Sequence, residues 1–216
     1  MFYKEDNKFL KKQHVDYIKN VVLNNNFPYF IIKAFSNVEL KEKILNLHNK
    51  EKLNKEQIRK KLKLPKTKTA DSLIEQAIIR RDDLFLSHVI LKRPEERKDN
   101  SYNSLHANFF ESMFYTFCEK HNIKVKEIFR IAVNLTFNIG VKEGVIHQDH
   151  SFKHKQLIIY LNDCDKEAKT IILNKNNKKI KEIVPVQFKG ACFDNSPHYL
   201  IYPRTGERII AIYTFS

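Results

Sequence analysis

Four residues in the last third of the chain have the chemical types of a metal centre with an anion-binding partner. His147 and Asp149 stand two residues apart in the segment GVIHQDHSF, His198 follows, and Arg208 comes ten residues later. Two imidazoles and one carboxylate bind one face of an Fe(II) ion and leave its other coordination positions open. The planar fork of an arginine donates two parallel hydrogen bonds to a carboxylate. The four residues therefore predict a metal centre that works with a carboxylate-bearing ligand.

His147 and Asp149 can share a metal only if the backbone conformation points both side chains to the same side. A short motif of this kind also arises by chance, and the chain contains a second copy, His14 and Asp16. The second copy lies in a segment with helical periodicity, where side chains two residues apart point in roughly opposite directions. On a strand, side chains two residues apart point to the same side. We therefore expect a shared metal at His147 and Asp149, on a strand, and none at His14 and Asp16.

The region around the candidate site has the pattern of short antiparallel strands. Residues 128–140 alternate, with Arg130, Asn134 and Thr136 on one side and larger apolar residues on the other. Clusters of turn residues separate the following candidates, and no long helix lies between them. This arrangement predicts an antiparallel sandwich or barrel. The further strand candidates are 155–163, 168–174, 180–193 and 207–215.

Residues 128–216 resemble the core of the Fe(II)- and 2-oxoglutarate-dependent dioxygenases. They are most similar to the prolyl-hydroxylase-like branch and its phage and bacterial relatives. The matching segments are NLTFNIG followed by HQDH, then IIYLN, VPVQFKGACFDNSPHYLIYP and GERIIAIYTF. The resemblance implies an α+β fold with a mainly β core, a double-stranded β-helix of the jelly-roll or cupin-like type, with a helical N-terminal region.

The resemblance also implies a role for each candidate residue. It assigns iron to His147, Asp149 and His198, and the distal carboxylate of the cosubstrate 2-oxoglutarate to Arg208. Tyr160, in the YLN segment, matches a tyrosine that helps to bind the same carboxylate. The cofactors implied are thus Fe(II) and 2-oxoglutarate, although the sequence leaves open another divalent metal.

Several positions depart from the family pattern or compete for the metal. Phe137 stands where many relatives carry another cosubstrate-binding tyrosine, and phenylalanine has no hydroxyl to make that contact. His150 is one residue beyond Asp149, so on a strand it faces the other way, and His154 is predicted to lie in a loop. Relatives carry a glycine pair after YLN, where this chain has DCDKEAKT. No role follows there for Asp163, Asp165 or Thr170.

The first hundred residues have a different character. We divide the chain into a helical, basic N-terminal region (1–100) and a jelly-roll dioxygenase core (101–216) that includes a buttressing helix. A capping box at Ser36 to Glu39 predicts the start of a helix. A second helix is predicted to begin at Asn54 and to end before Pro65. Further helices are predicted over 71–81 and 104–122.

The chain has a net charge of +14, and this charge is concentrated in the N-terminal region. Residues 36–81 contain 13 Lys or Arg against 6 Asp or Glu, a net of +7. The segment also has the rhythm of a helix–turn–helix, and a basic face attracts phosphates. A solvated basic surface is our first interpretation and nucleic-acid binding the alternative. None of the common RNA-binding or zinc-finger motifs is present to support specific recognition.

Composition limits the remaining classes. Three widely spaced cysteines, Cys118, Cys164 and Cys192, form neither a zinc pattern nor an even disulfide framework. We expect reduced thiols in a cytoplasmic protein. The sequence has no signal peptide and no run of about 20 apolar residues, so no membrane partner is expected. The oligomeric state and the pathway stay open.

The predicted function is a non-heme Fe(II), 2-oxoglutarate-dependent dioxygenase, an oxidoreductase that hydroxylates an unactivated C–H bond. The resemblance favours a peptidyl or free amino-acid side chain as substrate. A nucleobase is the second choice, because oxidative demethylases of bases usually carry a second arginine where this chain has Thr214. An alternative of a different class is a non-catalytic jelly-roll module that binds nucleic acid through residues 36–81.

Overall fold

The computed structural model describes residues 2–34, 38–66, 68–78, 83–99 and 102–216. Strands make up most of the core, and each strand runs antiparallel to its neighbours. In chain order the strands are β1 (Tyr3–Asp6), β2 (Phe30–Ala34), β3 (Asp83–Leu91), β4 (Ile128–Phe137), β5 (Lys155–Tyr160), β6 (Thr170–Leu173), β7 (Lys179–Ile183), β8 (Gly190–Asp194), β9 (His198–Leu200) and β10 (Glu207–Phe215).

The helices are fewer and lie mostly in the N-terminal half. Within the described ranges, none of them combines the length and the apolar character that a membrane span requires. They are α1 (Lys12–Tyr17), which continues as a π-helical turn (Ile18–Val22), α2 (Val38–Asn49), α3 (Lys55–Lys61), α4 (Lys68–Ile78) and α5 (Ala107–Lys120), with a short 3-10 turn at Pro94–Glu96.

The strands form two sheets that face each other. The large sheet has the order β1-β8-β5-β10-β4-β3-β2, and the small sheet has the order β7-β6-β9. Apolar side chains from both sheets form one buried cluster between them, with Ile158, Phe193 and Ile210 from the large sheet and Ile172 and Ile183 from the small one. The mainly antiparallel β core with few helices confirms the coarse fold class predicted from the sequence.

The other face of the large sheet is covered by α5 and α1. Because side chains alternate along a strand, Ile209, Ala211 and Tyr213 of β10 point toward the helices and join the largest apolar cluster. The Phe114 ring of α5 stacks on Tyr213 at 5.2 Å, and the Tyr213 hydroxyl donates to the Phe110 carbonyl at 3.0 Å. The predicted apolar helix over 104–122 therefore buttresses the sheet as expected.

One glycine permits this close packing. A Cβ atom on Gly190 of β8 would come within 2.8 Å of the Phe117 ring and 2.9 Å of the Phe9 ring. Contacts that short would require the aromatic side chains to move. The absence of a side chain at this position therefore allows α5 and the segment before α1 to approach the sheet directly.

The strand prediction over 180–193 was wrong in one respect. The structure has two strands there, β7 and β8, which belong to different sheets. Pro185 cannot donate a ladder hydrogen bond, and Phe188 has a φ of 67°, so the chain leaves one sheet and enters the other between them. The short strand β9, which begins at His198, was not predicted. Three residues are too few for a clear period-2 pattern.

The described part of the N-terminal region contains three strands that were not predicted from the sequence. β1 pairs with β8, and β3 pairs with both β2 and β4, so all three extend the large sheet. β1 is a short edge strand with the polar sequence YKED, and this pattern gives little strand signal. The division of the chain at residue 100 stays a prediction, although β3 and β4 pair across it.

Helices α2 to α4 lie between β2 and β3 in the chain. The two strands are paired from Phe30 and Ser87 to Ala34 and Asp83, so the three helices form an insertion at the end of a hairpin. Their buried residues make a cluster of their own, formed by Ile44, Leu47, Ile58, Ile74 and Ala77.

The helix predictions in this insertion are largely confirmed. Asn54 caps α3, since its side chain accepts from the Gln57 backbone at 3.0 Å and Gln57 returns a bond at 2.9 Å. Helix α4 begins at Lys68, three residues before the predicted start. The predicted capping box beginning at Ser36 lies outside the described residues.

Candidate metal centre

The segment that carries His147 and Asp149 runs beside β9, which carries His198. The backbones of His147 and His198 exchange two hydrogen bonds of 3.0 Å each, as an isolated antiparallel bridge. A second isolated bridge joins Glu143 to Ile201. The segment is therefore extended but is not a full strand, which corrects the expectation from the sequence. The bridge still places the third candidate ligand beside the first two.

The three candidate ligands converge on one point. Their ligand atoms all lie within 4.8 Å of one another. The distance from His198 Nε2 to Asp149 Oδ2 is 3.5 Å, and the two imidazole centroids are 4.5 Å apart. Asp149 and His198 are buried, whereas His147 is at the exposed edge of the group. The sequence prediction of a common centre agrees with this geometry.

Hydrogen bonds to the backbone fix both imidazole rings. His147 Nδ1 lies 2.8 Å from the Val145 carbonyl, and His198 Nδ1 lies 3.0 Å from the Ser196 carbonyl. Since a carbonyl only accepts, each Nδ1 carries a proton, which leaves Nε2 as the nitrogen that can bind a metal. The Nε2 of His198 also lies 3.4 Å from the Gln156 amide nitrogen. Burial, and then repulsion from His147, lower the pKa of His198 to about 4. This ring is therefore neutral at pH 7, as a metal ligand must be.

Asp149 is held through one of its two oxygens. Oδ1 accepts from Arg93 Nη2 at 3.2 Å and from Arg130 Nη1 at 3.1 Å. Oδ2 is buried and has no hydrogen-bond partner among the described residues. Burial by itself raises the pKa of this carboxyl, but His198 and Arg130 outweigh that effect and hold it well below its usual range. Asp149 is thus ionised, with one oxygen available for a cation.

A cavity of about 360 Å³ connects this centre with Arg208. Arg208 is 1% exposed, and its Nη2 donates to the Thr170 hydroxyl at 2.8 Å. Its Nε is buried without a partner among the described residues. Glu207, the preceding residue, is exposed, which confirms that the two point to opposite faces. The cavity wall is mostly apolar and includes Ile158, Ile210 and Ile212.

Tyr160 lies close to Arg208 but outside the cavity wall. Its hydroxyl is 3.0 Å from the Thr170 hydroxyl and donates to the Ile183 carbonyl at 3.4 Å. The Arg208 guanidinium carbon is 5.2 Å from the centre of the Tyr160 ring. Thr170, which lines the cavity, therefore links Tyr160 to Arg208. The role of Tyr160 in cosubstrate binding stays a prediction.

The residues present fit the cofactor set that the sequence resemblance implies. The donor set is two imidazoles, each with its Nδ1 bonded to a backbone carbonyl, and one carboxylate oxygen with no other partner among the described residues, and this set suits Fe(II). At the other end, a buried arginine with an unpaired Nε suits a carboxylate. Buried polar atoms are nearly always paired, so Asp149 Oδ2 and Arg208 Nε both indicate where a bound group belongs.

The other candidate residues have structural contacts. His150 is buried with its ring nitrogens 2.8 Å from the Thr214 hydroxyl and 3.1 Å from Glu95, away from the three ligands. His154 lies in the loop before β5, as predicted. Phe137 packs against the helix-facing cluster on the other side of the sheet.

His14 and Asp16 lie on α1, as the periodicity of their segment predicted. His14 is buried beside Ser112, with Nε2 3.0 Å from that hydroxyl, whereas Asp16 is exposed. Their opposite environments confirm that the two side chains point in different directions.

Several polar residues that line the cavity were given no role from the sequence, and four of them contact the candidate ligands or Arg208. Arg130 carried a usable signal, because it is the one charged residue of β4 and lies on the inward side of that strand. Thr170 and Gln156 are also inward-facing strand residues, but polar side chains at such positions are common and give no specific signal. Arg93 lies in a polar stretch that resembles an ordinary exposed loop. The four residues are Arg93, Arg130, Gln156 and Thr170.

Comparison with known proteins places this site in a recognised fold. No protein-family model and no curated protein matches the sequence. The solved structure of an oxidoreductase of the 2OG-Fe(II) oxygenase family from Burkholderia pseudomallei matches with a TM-score of 0.52 and 12% identity, over 82% of this chain and 90% of that one. The chain has the fold of a 2OG-Fe(II) oxygenase. This finding confirms, at the level of the fold, the resemblance seen in the sequence.

Two prolyl hydroxylase structures align over more of the chain but less closely. A Pseudomonas putida prolyl-4-hydroxylase has a TM-score of 0.47 and 11% identity, over 99% of this chain and 91% of that one. A Trichoplax adhaerens prolyl hydroxylase, solved with a peptide fragment of hypoxia inducible factor, has a TM-score of 0.43 and 15% identity, over 94% and 90%.

Proposed function

We propose that this protein is a non-heme Fe(II), 2-oxoglutarate-dependent dioxygenase that hydroxylates an unactivated C–H bond. The observation that carries the proposal is the presence, in one cavity, of a three-ligand centre and a buried arginine. His147, Asp149 and His198 would hold the iron, and Arg208 the distal carboxylate of 2-oxoglutarate. Each end contains a buried polar atom without a partner among the described residues.

The proposal includes a double-stranded β-helix as the core. Support comes from the strand order β4-β10-β5-β8 within the large sheet and from the small sheet that faces it. The segment that carries His147 extends the small sheet through its bridge to β9. In this arrangement the metal ligands stand on one sheet edge and Arg208 on the other sheet, with the cavity between them.

The bound cofactors supply the oxidation: dioxygen is consumed, 2-oxoglutarate loses carbon dioxide to become succinate, and one oxygen atom enters the substrate C–H bond. The protein binds and orients. The backbone carbonyls of Val145 and Ser196 keep both histidines in the ligating tautomer. Ile158, Ile210 and Ile212 keep the space between the two ends apolar and limit water.

We propose a peptidyl or free amino-acid side chain as the substrate, on the basis of the sequence resemblance to the prolyl-hydroxylase-like branch. The nucleobase alternative has less support. Its second arginine is replaced by Thr214, whose hydroxyl is bonded to His150.

The experiment is succinate formation from 2-oxoglutarate by the protein reconstituted anaerobically with Fe(II) and then exposed to air. NMR detects succinate even without the primary substrate, because enzymes of this kind convert 2-oxoglutarate slowly when no substrate is hydroxylated. We expect succinate from the wild-type protein and none above background from His198→Ala. His121→Ala, a change at a half-buried histidine that pairs with Asp6, serves as the control. Equal, background-level succinate from all three proteins would favour the non-catalytic binding module.

A further inference from the structure

Two arginines converge on one carboxylate oxygen beside the metal centre. Arg130 Nη1 and Arg93 Nη2 both donate to Asp149 Oδ1, at 3.1 and 3.2 Å. Arg93 Nη1 also donates to the backbone carbonyl of Asp149. The side chain of Asp149 is 3% exposed, that of Arg130 11% and that of Arg93 25%. Both guanidinium groups line the cavity.

The two arginines come from independent parts of the fold. Arg130 is an inward-facing residue of β4, directly opposite Thr214 of β10. Arg93 follows β3 and immediately precedes the 3-10 turn. Arg130 therefore approaches the Asp149 carboxylate from a strand, and Arg93 approaches it from a connecting segment. Arg93 bonds to both the side chain and the backbone carbonyl of Asp149. This arrangement restrains the rotation of the Asp149 carboxylate about its χ2 angle.

Neutralising a buried carboxylate requires one cation, and here two guanidinium groups share a single oxygen. Arg130 and Arg93 are both positively charged and meet at the same oxygen, so they repel each other and placing the second arginine has an electrostatic cost. Meanwhile Oδ2 accepts no hydrogen bond from any described residue. An arrangement that only stabilised the charge would distribute donors over both oxygens. The observed one instead leaves Oδ2 directed toward His198.

We propose that Arg130 and Arg93 are positioning residues that make Asp149 a one-oxygen metal ligand. With Oδ1 held by the two arginines, only Oδ2 would be free to bind an ion, and the carboxylate would not occupy a second coordination position. That position stays open for the cosubstrate and dioxygen. This inference rests on the proposed function insofar as the triad binds a metal, and it adds two residues that the family resemblance does not assign.

The test is the binding of Mn(II) to the metal-free protein, measured by calorimetry for wild type, Arg130→Met and Arg130→Lys. Removing a nearby positive charge should by itself tighten cation binding. Loss of a residue that orients a ligand typically weakens it by 10–100-fold. We expect Arg130→Met to bind Mn(II) about 10–100-fold more weakly. We expect Arg130→Lys, which keeps the charge without the fork, to be intermediate.

A second readout reports geometry independently of activity. Co(II) in the same site gives an absorption spectrum that depends on the number and arrangement of its ligands, and we expect it to change in Arg130→Met. The matched control is Arg97→Met, since Arg97 pairs with Glu127 at 3.4 Å outside the cavity wall. Circular dichroism of the metal-free proteins checks folding. Should Arg130→Met fail to fold, Arg93→Met gives the same measurement from a more exposed position.

The outcomes are distinguishable. Wild-type or tighter Mn(II) binding by folded Arg130→Met, with an unchanged Co(II) spectrum, would overturn the positioning role and leave the arginines as charge partners. Absence of Mn(II) binding by the wild-type protein would contradict the proposed function itself. Weaker binding with an altered spectrum, absent from Arg97→Met, supports the proposal.

Discussion

Arg208 donates a hydrogen bond of 2.8 Å to the hydroxyl of Thr170, and this contact joins the two sheets in the wall of the cavity. Arg208 lies on β10 of the large sheet and Thr170 on β6 of the small sheet. Both side chains are buried. An inward-pointing arginine is costly unless an acceptor meets it, and Thr170 supplies one acceptor. The remaining donors of Arg208 are suited to an anion that enters the cavity.

The first prediction concerns Arg208 and 2-oxoglutarate. Losing a desolvated, bidentate ion pair costs about 2–5 kcal/mol. We therefore expect Arg208→Ala to weaken 2-oxoglutarate binding by about 30-fold or more, measured by calorimetry on the Mn(II)-loaded protein. Arg208→Lys should recover only part of the loss, because a point charge cannot reproduce the fork.

Arg204→Ala is the control for this measurement, because Arg204 is exposed and only four residues away. Mn(II) affinity should be the same in all the variants. An Arg208→Ala protein with wild-type 2-oxoglutarate affinity would show that the arginine is structural and would remove the cosubstrate assignment.

The second prediction concerns Tyr160. Its hydroxyl bonds to Thr170 at 3.0 Å, so we expect it to act on the cosubstrate through Thr170. The net worth of one neutral hydrogen bond is about 0.5–1.5 kcal/mol, so Tyr160→Phe should weaken 2-oxoglutarate binding about 2–10-fold. In the double variant with Thr170→Val, the two losses should not add, since they remove one connected network. Additive losses would instead indicate that Tyr160 contacts the cosubstrate by itself.

The convergence of His147, Asp149 and His198 on the cavity that Arg208 also lines was predictable, because it depends on residue type and on local backbone direction. His147 and Asp149 are competent on any extended segment, and the isolated bridge to His198 supplies one. The contacts of Asp149 with Arg93 and Arg130 were not predictable, because they join residues 56 and 19 positions apart. Such contacts are set by strand register, and a single sequence does not contain that information.

The strands show the same difference between features that local sequence predicts and features that depend on tertiary pairing. β4 and β10 were both predicted. β4 alternates, because one face packs on the helices and the other lines the cavity, whereas β10 is a nearly continuous apolar run that is buried on both faces. β2 and β3 pair directly with each other in the large sheet, although three helices lie between them in the chain. The strong helical periodicity of that insertion led to a helical prediction for the whole region. Tertiary pairing of this kind overrides local propensity.

The third prediction concerns the basic insertion formed by α2 to α4. We expect no measurable binding of a short DNA duplex at about 150 mM salt, because intramolecular ion pairs engage four of its basic residues, all in or beside α3, and because salt screens the rest. If binding occurs at low salt, the logarithm of the association constant should fall linearly with the logarithm of the salt concentration, with a slope of about 0.9 for each phosphate contacted. Tight, salt-resistant binding would contradict the surface interpretation. The ion pairs are Lys55–Glu75, Arg59–Asp71, Lys60–Glu56 and Lys61–Glu51.

The last prediction concerns acid stability and two buried histidines outside the metal centre. His88 lies between the Pro28 carbonyl at 2.9 Å and the Ser104 hydroxyl at 2.7 Å, and His14 lies beside Ser112. Burial lowers the pKa of both rings below their ordinary value. In the unfolded chain each pKa returns to about 6.5. Below that pH the unfolded state binds more protons than the folded state, so the free energy of unfolding must fall as the pH falls.

We therefore expect the contribution of these histidines to be complete above about pH 6.5 and to be lost progressively on acidification. Urea unfolding of the metal-free protein in EDTA, between pH 7.5 and pH 5, measures this loss. His88→Gln should be less stable than wild type at pH 7.5, because a buried bond is altered, but its stability should decline less steeply toward pH 5. The difference between the two slopes isolates His88 from every other titrating group, the metal ligands included. A slope equal to that of wild type would show that His88 does not contribute to the acid sensitivity.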